Sequence, residues 1–269
     1  MNEKYLDFFK DWFYQFCQSY IEFATVDEKQ NYILKKLHTY EVCKHIVHIS
    51  REICLEEVDI LVAEAIGLFH DIGRFPQYCR YKTFRDNISV NHGVVGANLL
   101  VTNGLLKELL PLEQTWIINA VKYHNAFKLP SIKDAKGFHF LQLIRDADKL
   151  DIYRVVLEQY ESPKENRASA VGDGLADISE VTDEIAIDIL NGKIPCYTSL
   201  KNLNDYKLMQ LSWVYDINFT ATLQRLMEKK YLTRFRNHLP SDNELVEEVF
   251  QSISFFICKR LKADSYADI

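Results

Sequence analysis

The sequence predicts an all-α fold, and three observations favour it. Apolar residues recur at spacings of three and four along most of the 269-residue chain, which is the period of an amphipathic helix. No segment shows the strict alternation of apolar and polar residues that indicates a half-buried strand. The chain has only 9 glycines and 6 prolines, so few breaks interrupt the helical pattern. With 48% hydrophobic residues, we expect one helical domain over residues 1–269.

The first three helices are predicted from apolar and aromatic spacing. Aromatic residues from Phe8 to Tyr20 are three and four apart, which predicts one amphipathic helix within residues 1–30. A second helix is predicted from about His38 to Ile53. A third is predicted from about Val58 to Ile72, and its apolar residues on nearly all sides indicate a central position. Gly73 is expected to be the C-cap of this third helix.

The remainder is predicted to alternate loops with further helices. Residues 74–91 show no period and are predicted to form an ordered loop. A fourth helix is expected from near His92 to near Gly104, a fifth beginning with Pro111 in its first turn, and a sixth from about Phe138 to Tyr160. Residues 162–179 have the composition of a loop. Helical periodicity returns further on, near residues 205–230 and 242–261.

Composition and charge exclude several classes of function. The net charge is −6 with both signs mixed along the chain, which argues against a long nucleic acid as partner. The 6 cysteines are scattered without a C-x-x-C pair, so neither a disulfide framework nor a thiolate zinc site is expected. No apolar run approaches the roughly 18 residues of a membrane span, and the acidic, aromatic N-terminus does not resemble a signal peptide. We therefore expect a cytoplasmic protein without a membrane partner.

Several polar residues stand where the pattern calls for apolar ones. His70 and Asp71 are adjacent at the end of the predicted third helix, where burial of either would cost several kcal/mol without a strong partner. Asp148 interrupts the apolar stripe of the sixth helix, and His124 completes a stripe of the fifth. A divalent metal ion would satisfy such groups together. The alternative for each is ordinary: a core histidine bonded to its neighbours, or an aspartate paired with a basic residue of its own helix.

The order of these residues resembles a known signature. His38, the His70-Asp71 pair and Asp148 are similar to the H…HD…D signature of the HD-domain superfamily of metal-dependent phosphohydrolases. Residues 68–75, LFHDIGRF, resemble its core motif. Residues 145–151, RDADKLD, resemble its last motif, in which the Asp that follows Ala is the ligand.

The resemblance covers about residues 35–160 and implies a fold. It implies a compact multi-helix HD-domain bundle over that range, with an N-terminal helix in 1–30 and a helical extension over 161–269 packed on it. Residues 71–77 and 91–93 are also similar to a bacterial subgroup, and the resemblance does not indicate the substrates of that subgroup.

His92 and His124 further resemble the extended H…HD…H…H…D pattern of members that hold two metal ions. The resemblance then implies six ligands, with Asp71 bridging the two ions: His38, His70, Asp71 and Asp148 for the first ion, and His92 and His124 for the second. Imidazole and carboxylate ligands without thiolate suit Mn²⁺, Fe²⁺, Co²⁺, Ni²⁺ or Zn²⁺, with Mg²⁺ as a further candidate. One or two ions per chain are expected.

The resemblance also implies a reaction. It implies hydrolysis of a phosphomonoester or phosphodiester of a nucleotide or other small metabolite by a metal-bound hydroxide. Asp71, as bridging ligand, is a predicted catalytic residue. Arg74 and Lys149 are predicted to offset charge on the phosphoryl group, and a surface salt bridge is the alternative for each.

Two other functions stay open at this point. A few members of the superfamily use a six-ligand di-iron centre to activate O₂, so an oxygenase is one alternative. A non-catalytic sensor or interaction module that keeps its metal for stability is another. A small phosphorylated molecule is the expected partner, and a homodimer is left open.

Overall fold

The computed structural model describes residues 1–163 and 175–265, and these residues are mostly helical, as the sequence predicts. Within these ranges the only β-type pairing is an isolated bridge between Ala176 and Asn202. The chain divides into two compact units, Met1–Asp151 and Ile152–Ile269. The expected single-domain organisation stays a prediction. Residues 164–174, which make up most of the predicted loop at 162–179, lie outside the described residues.

The first unit contains six helices and the start of a seventh. They are α1 (Glu3–Ile21), α2 (Val26–Glu52), α3 (Glu57–Phe69), α4 (Arg74–Tyr81), α5 (His92–Thr102), α6 (Pro111–Tyr123) and α7 (Ala135–Glu161). Pro111 occupies the first turn of α6, as predicted.

The start of α2 lies well before the predicted one. The helix begins at Val26 rather than at His38 because Thr25 and Glu28 form a capping box. The Glu28 N–H donates to Thr25 Oγ1, and the Thr25 N–H donates to Glu28 Oε2. This first part of α2 is mostly polar, so apolar periodicity did not reveal it.

Aromatic rings join α1 to its neighbours. Phe9 and Phe13 of α1 are buried, and the Phe9 ring centroid lies 5.1 Å from that of Phe69 at the end of α3. The Phe75 ring of α4 stacks on Tyr32 of α2, 5.7 Å between centroids, and lies edge-on to Phe13 at 6.3 Å. These contacts favour the offset and edge geometries that aromatic pairs prefer. The amphipathic helix predicted at the N-terminus is therefore present.

Helix α3 occupies the centre of this unit. It contacts α1, α2 and α6, and nearly all of its residues from Asp59 onward are buried. The central position predicted from its apolar composition is thus confirmed. The helix ends at Phe69, and His70 is its C-cap residue. The His70-Asp71 pair at this end is buried in the interior.

Two expectations near this point are wrong. Gly73 is not the C-cap of α3: it lies in the right-handed helical region (φ −66°) and precedes α4 as its N-cap. Residues 74–91 are not one loop, because they contain α4 and a 3₁₀ turn at Asp86–Ile88. Pro76 falls in the first turn of α4, where its missing N–H would have had no helical partner.

The described residues of the second unit form the end of α7 and five further helices. These are α8 (Asp183–Leu190), α9 (Leu203–Ser212), α10 (Thr220–Glu228), α11 (Tyr231–Arg236) and α12 (Glu244–Ser265). The helices expected near 205–230 and 242–261 are present, the first interrupted by a 3₁₀ turn at Trp213–Asp216. Helices α8 and α11 were not predicted. No helix of the described ranges has the length and apolar character needed to cross a membrane.

Candidate metal centre

Six predicted ligand residues meet in the first unit. They come from separate elements: His38 from α2, His70 and Asp71 from the end of α3, His92 from the start of α5, His124 from the end of α6, and Asp148 from α7. The four histidines and Asp71 are buried, and Asp148 keeps 18% of its side chain exposed. Residues up to 110 positions apart in sequence therefore form one polar cluster in an apolar interior.

The first group of donor atoms surrounds His38 and His70. Their Nε2 atoms lie 3.3 Å apart. Asp148 Oδ1 is 3.1 Å from the Nε2 of His38 and 3.7 Å from that of His70. Asp71 Oδ2 is 3.7 Å from each of these nitrogens. His38, His70 and Asp71 thus form a group that could hold one cation, and Asp148 Oδ1 lies within 3.7 Å of both imidazole nitrogens of that group.

The second group is formed by His92 and His124. Their Nε2 atoms lie 2.9 Å apart. Asp71 Oδ1 is 3.3 Å from the Nε2 of His92 and 3.8 Å from that of His124. The two oxygens of Asp71 therefore face different groups, which is the arrangement expected of a bridging carboxylate.

In each of the four histidines, Nε2 faces the cluster and Nδ1 contacts a hydrogen-bond acceptor outside it. His70 Nδ1 donates to Gly67 O and His124 Nδ1 donates to Val121 O, both at 2.8 Å. Because a carbonyl oxygen only accepts, these rings carry their proton on Nδ1 and leave Nε2 as an acceptor. The carbonyls are those three residues earlier in the same helical turn.

Carboxylates hold the other two rings. His38 Nδ1 lies 2.6 Å from Asp151 Oδ2, and His92 Nδ1 lies 2.8 Å from Asp86 Oδ2. Each group thus has one histidine supported by a carboxylate and one supported by the backbone. Such outer partners fix the ring and raise its basicity as a metal ligand.

The donor set fits a metal ion. With the proton of each ring on Nδ1, the Nε2 atoms of His92 and His124 are both acceptors, yet they lie only 2.9 Å apart. Two such lone pairs repel unless a cation is shared between them. A proton is disfavoured in this place, because burial above all lowers the pKa of each of these two histidines to about 4. A divalent ion satisfies both nitrogens at neutral pH.

The first group has a different electrostatic balance. Burial and the Lys35 charge lower the pKa of His38, but hydrogen bonds to Asp148 and Asp151 outweigh them and the net pKa rises to about 9. For Asp71, burial raises the pKa while the Lys35 ammonium, His70 and the nearby guanidinium lower it, so its pKa is held well below its usual value. The carboxylates of Asp71 and Asp148 are therefore both ionised at neutral pH, since the pKa of Asp148 is also lowered despite its burial.

Two cations accompany Asp71, and the sequence predicted only one of them. Arg74 Nε is 3.4 Å from Asp71 Oδ1, and its Nη1 donates to Asp86 Oδ1 at 3.0 Å. Lys35, in the unpredicted first part of α2, donates from Nζ to Asp71 Oδ2 at 2.8 Å. Its position one helical turn before His38 was the available signal.

Lys149, the other predicted cation, contacts the backbone of its own helix. Lys149 Nζ is 3.5 Å from the carbonyl oxygen of Arg145, one turn earlier in α7. Arg145, a basic residue of the same helix as Asp148, donates from Nη1 to the carbonyl oxygens of His124 and Ala126 at 2.9 and 2.6 Å. The Arg145 guanidinium thus secures the chain around His124.

Comparison with known proteins identifies this part of the chain. Residues 37–153 match the family model of the HD domain. The match includes all six residues of the cluster and both supporting carboxylates. No curated protein and no solved structure matches the chain.

Proposed function

We propose that this chain, whose residues 37–153 match the family model of the HD domain, belongs to the superfamily of metal-dependent hydrolases and is a phosphohydrolase with a dinuclear metal centre. Its substrate would be a phosphomonoester or phosphodiester of a nucleotide or other small metabolite. The observation that carries the proposal is the bridging position of Asp71, whose Oδ2 and Oδ1 face two separate histidine pairs.

The ligands suggest how the ions would be held. His38, His70, Asp71 and Asp148 would hold one ion, and His92, His124 and Asp71 the other. When bound, such ions lower the pKa of coordinated water toward neutrality and offset charge on a phosphoryl oxygen. Mn²⁺, Fe²⁺, Co²⁺, Ni²⁺ and Zn²⁺ are compatible with imidazole and carboxylate ligands, with Mg²⁺ as a further candidate.

The exposure of the cluster supports an anionic substrate. The histidines are almost fully buried, whereas Lys35, Arg74 and Asp148 keep 17–19% of their side chains exposed. A small molecule would therefore approach the centre past two cations. A phosphate ester is the type of substrate whose charge those cations would attract and orient.

Lys35 is the better placed of the two cations to contact substrate. The Arg74 guanidinium is committed to Asp71, Asp86, Gln77 Oε1 and the carbonyl of Phe84. The Lys35 ammonium has three N–H donors, and among the described contacts its one hydrogen bond is to Asp71. We assign Lys35 a phosphate-binding role and Arg74 mainly an orienting one.

The proposal is tested by metal analysis and a phosphate-release screen. Purified protein loaded with Mn²⁺, Co²⁺ or Fe²⁺ should hold about two ions per chain and release phosphate from a nucleotide or sugar phosphate. Replacing Asp71 by Ala should abolish that activity and reduce metal content, because both groups lose a ligand. His92→Ala should remove about one ion and keep the helical content.

A matched control separates the site from general damage. Asp59 is also a buried carboxylate paired with a lysine, Lys136 at 2.6 Å, so Asp59→Ala should lower stability and leave metal content unchanged. Full activity in Asp71→Ala would refute the site. Oxygen uptake by the iron-loaded protein without phosphate release would replace the hydrolase with the oxygenase alternative. Partner binding unaffected by metal removal, with no turnover, would favour the sensor alternative.

A further inference from the structure

We propose that Asp86 is a positioning residue that sets metal occupancy of the His92–His124 group, separately from the other group, which depends on Asp151. This inference rests on the dinuclear centre proposed above. Asp86 and Asp151 are not among the six proposed ligands, and each would support one half of the proposed centre.

Asp86 collects donors from three elements around the second group. Its oxygens accept from Arg74 Nη1 at 3.0 Å and Gln77 Nε2 at 2.8 Å, both in α4, and from Asn125 Nδ2 at 2.8 Å, next to His124. His92 Nδ1 lies within hydrogen-bond distance of both oxygens, at 2.9 and 2.8 Å. One carboxylate thus links the start of α5, the end of α6 and α4.

The charge of Asp86 is needed because all of its partners are donors. Arg74 brings a positive charge beside the carboxylate, and Gln77, Asn125 and His92 bring further N–H groups. An acceptor of this strength fixes the His92 proton on Nδ1 and leaves Nε2 directed at His124. A neutral amide would instead bring N–H groups into a ring of donors.

Asp151 plays the corresponding part for the first group. It is fully buried in α7, and its Oδ2 lies 2.6 Å from His38 Nδ1. Its nearest other histidine is His45, whose Nε2 is 3.9 Å from Oδ1. Asp151 contacts His38 and Asp86 contacts His92, so each carboxylate supports a histidine of a different group.

Two charge-removing variants form the experiment, Asp86→Asn and Asp151→Asn, each titrated with Mn²⁺ after metal removal. Loss of an outer-shell partner of a metal-bound histidine costs about 10–100-fold in affinity. Asp86→Asn should therefore weaken one of two ions by about that factor and leave the other unchanged. Asp151→Asn should weaken the other ion. Asp86→Asn combined with His92→Ala should bind no worse than His92→Ala alone, since the residue acts through that ligand.

A second readout is independent of metal and of activity. In metal-free protein labelled with ¹⁵N-histidine, long-range NMR correlations report which ring nitrogen carries the proton. His92 should be held as the Nδ1–H form in the wild-type protein and become a mixture of forms in Asp86→Ala. A residue that merely ties segments together would leave this signal unchanged.

Glu64→Gln supplies the control. Glu64 is a partly buried carboxylate of the same unit, paired with Lys10 at 2.6 Å, and should affect neither ion. Two ions of wild-type affinity in Asp86→Asn, or equal weakening of both ions, would overturn the inference. If the wild-type chain itself binds fewer than two ions, the dinuclear proposal fails first, so the two failures are distinguishable.

Discussion

Replacing Gly73 by alanine tests the close approach of α4 to α5 on which the position of His92 depends. A Cβ built on Gly73 would lie 2.0 Å from the carbonyl oxygen of His92 and 2.7 Å from the backbone nitrogen of Gly96. Both atoms belong to the backbone of α5, so neither can be avoided by rotating a side chain. The glycine is required by this contact and not by its φ of −66°, which alanine adopts without strain.

The size of the effect follows from these distances. Real Cβ atoms come no closer than about 3.0 Å to such atoms, so α5 must move by about 1 Å relative to Gly73. Overpacking costs about 1–3 kcal/mol where side chains yield, and a contact between two backbones belongs at or above the upper end. A functional site tolerates displacements of only about 0.5 Å, so His92 would leave the geometry it needs.

Urea unfolding and metal analysis provide the assay. Gly73→Ala should lower the free energy of unfolding of the metal-free protein by about 3 kcal/mol or more, and the folded fraction should hold about one ion instead of two. Gly67→Ala is the matched control, because its Cβ would meet the Ile46 Cγ2 methyl at 3.1 Å, a side-chain atom that can yield. A Gly73→Ala protein within about 0.5 kcal/mol of wild type that keeps two ions would refute the reasoning.

Two further predictions concern charge. Replacing Lys35 by Met should lower kcat/KM for a phosphate ester by about 10²-fold with metal content unchanged. Lys36→Met is the control and should leave kcat/KM unchanged, because the Lys36 ammonium lies over the Tyr14 ring instead. Unchanged kinetics in Lys35→Met would remove Lys35 from the proposed site. The metal-free protein should be most stable near pH 6.5. Below that pH the unfolded chain binds protons that His92 and His124, with pKa values of about 4, do not bind when folded, so stability falls as the pH drops. Above it, folded His38, with a pKa of about 9, retains a proton that the unfolded chain loses, so its contribution is lost as the pH rises through 9. Urea unfolding at pH 5, 6.5 and 8.5 checks both limbs, and rising stability toward pH 5 would contradict the assignment.

Several residues of the cluster were predictable as misplaced polar groups because they violate a local pattern. Asp148 interrupts an apolar helical stripe, and His124 lies on one, so the pattern alone implies a polar partner for both. Periodicity also placed most of the helices that carry them. The sequence pattern supplied a set of misplaced polar residues, and the resemblance supplied their grouping.

Residues that act through distant contacts were not predictable in this way. Asp86 lies on a segment without period, and its role depends on donors from α4, α5 and the end of α6. Lys35 was missed because the polar start of α2 gives no apolar signal. For Gly73, a local rule gave the wrong prediction. A glycine after a helix is commonly a C-cap, but here glycine is needed because the backbone of α5 approaches too closely for a Cβ atom.

The charges of the centre argue for an anionic substrate over a neutral one. Four carboxylates surround the histidines (Asp71, Asp148, Asp86 and Asp151), and Lys35 and Arg74 offset half of their charge. With all four imidazoles neutral, as metal binding requires, these groups sum to a charge of about −2, and two divalent ions would bring the sum to about +2. In a buried pocket such an excess is costly unless an anion compensates it. A phosphate ester carries the negative charge that would compensate the positive charge of the centre with both ions bound.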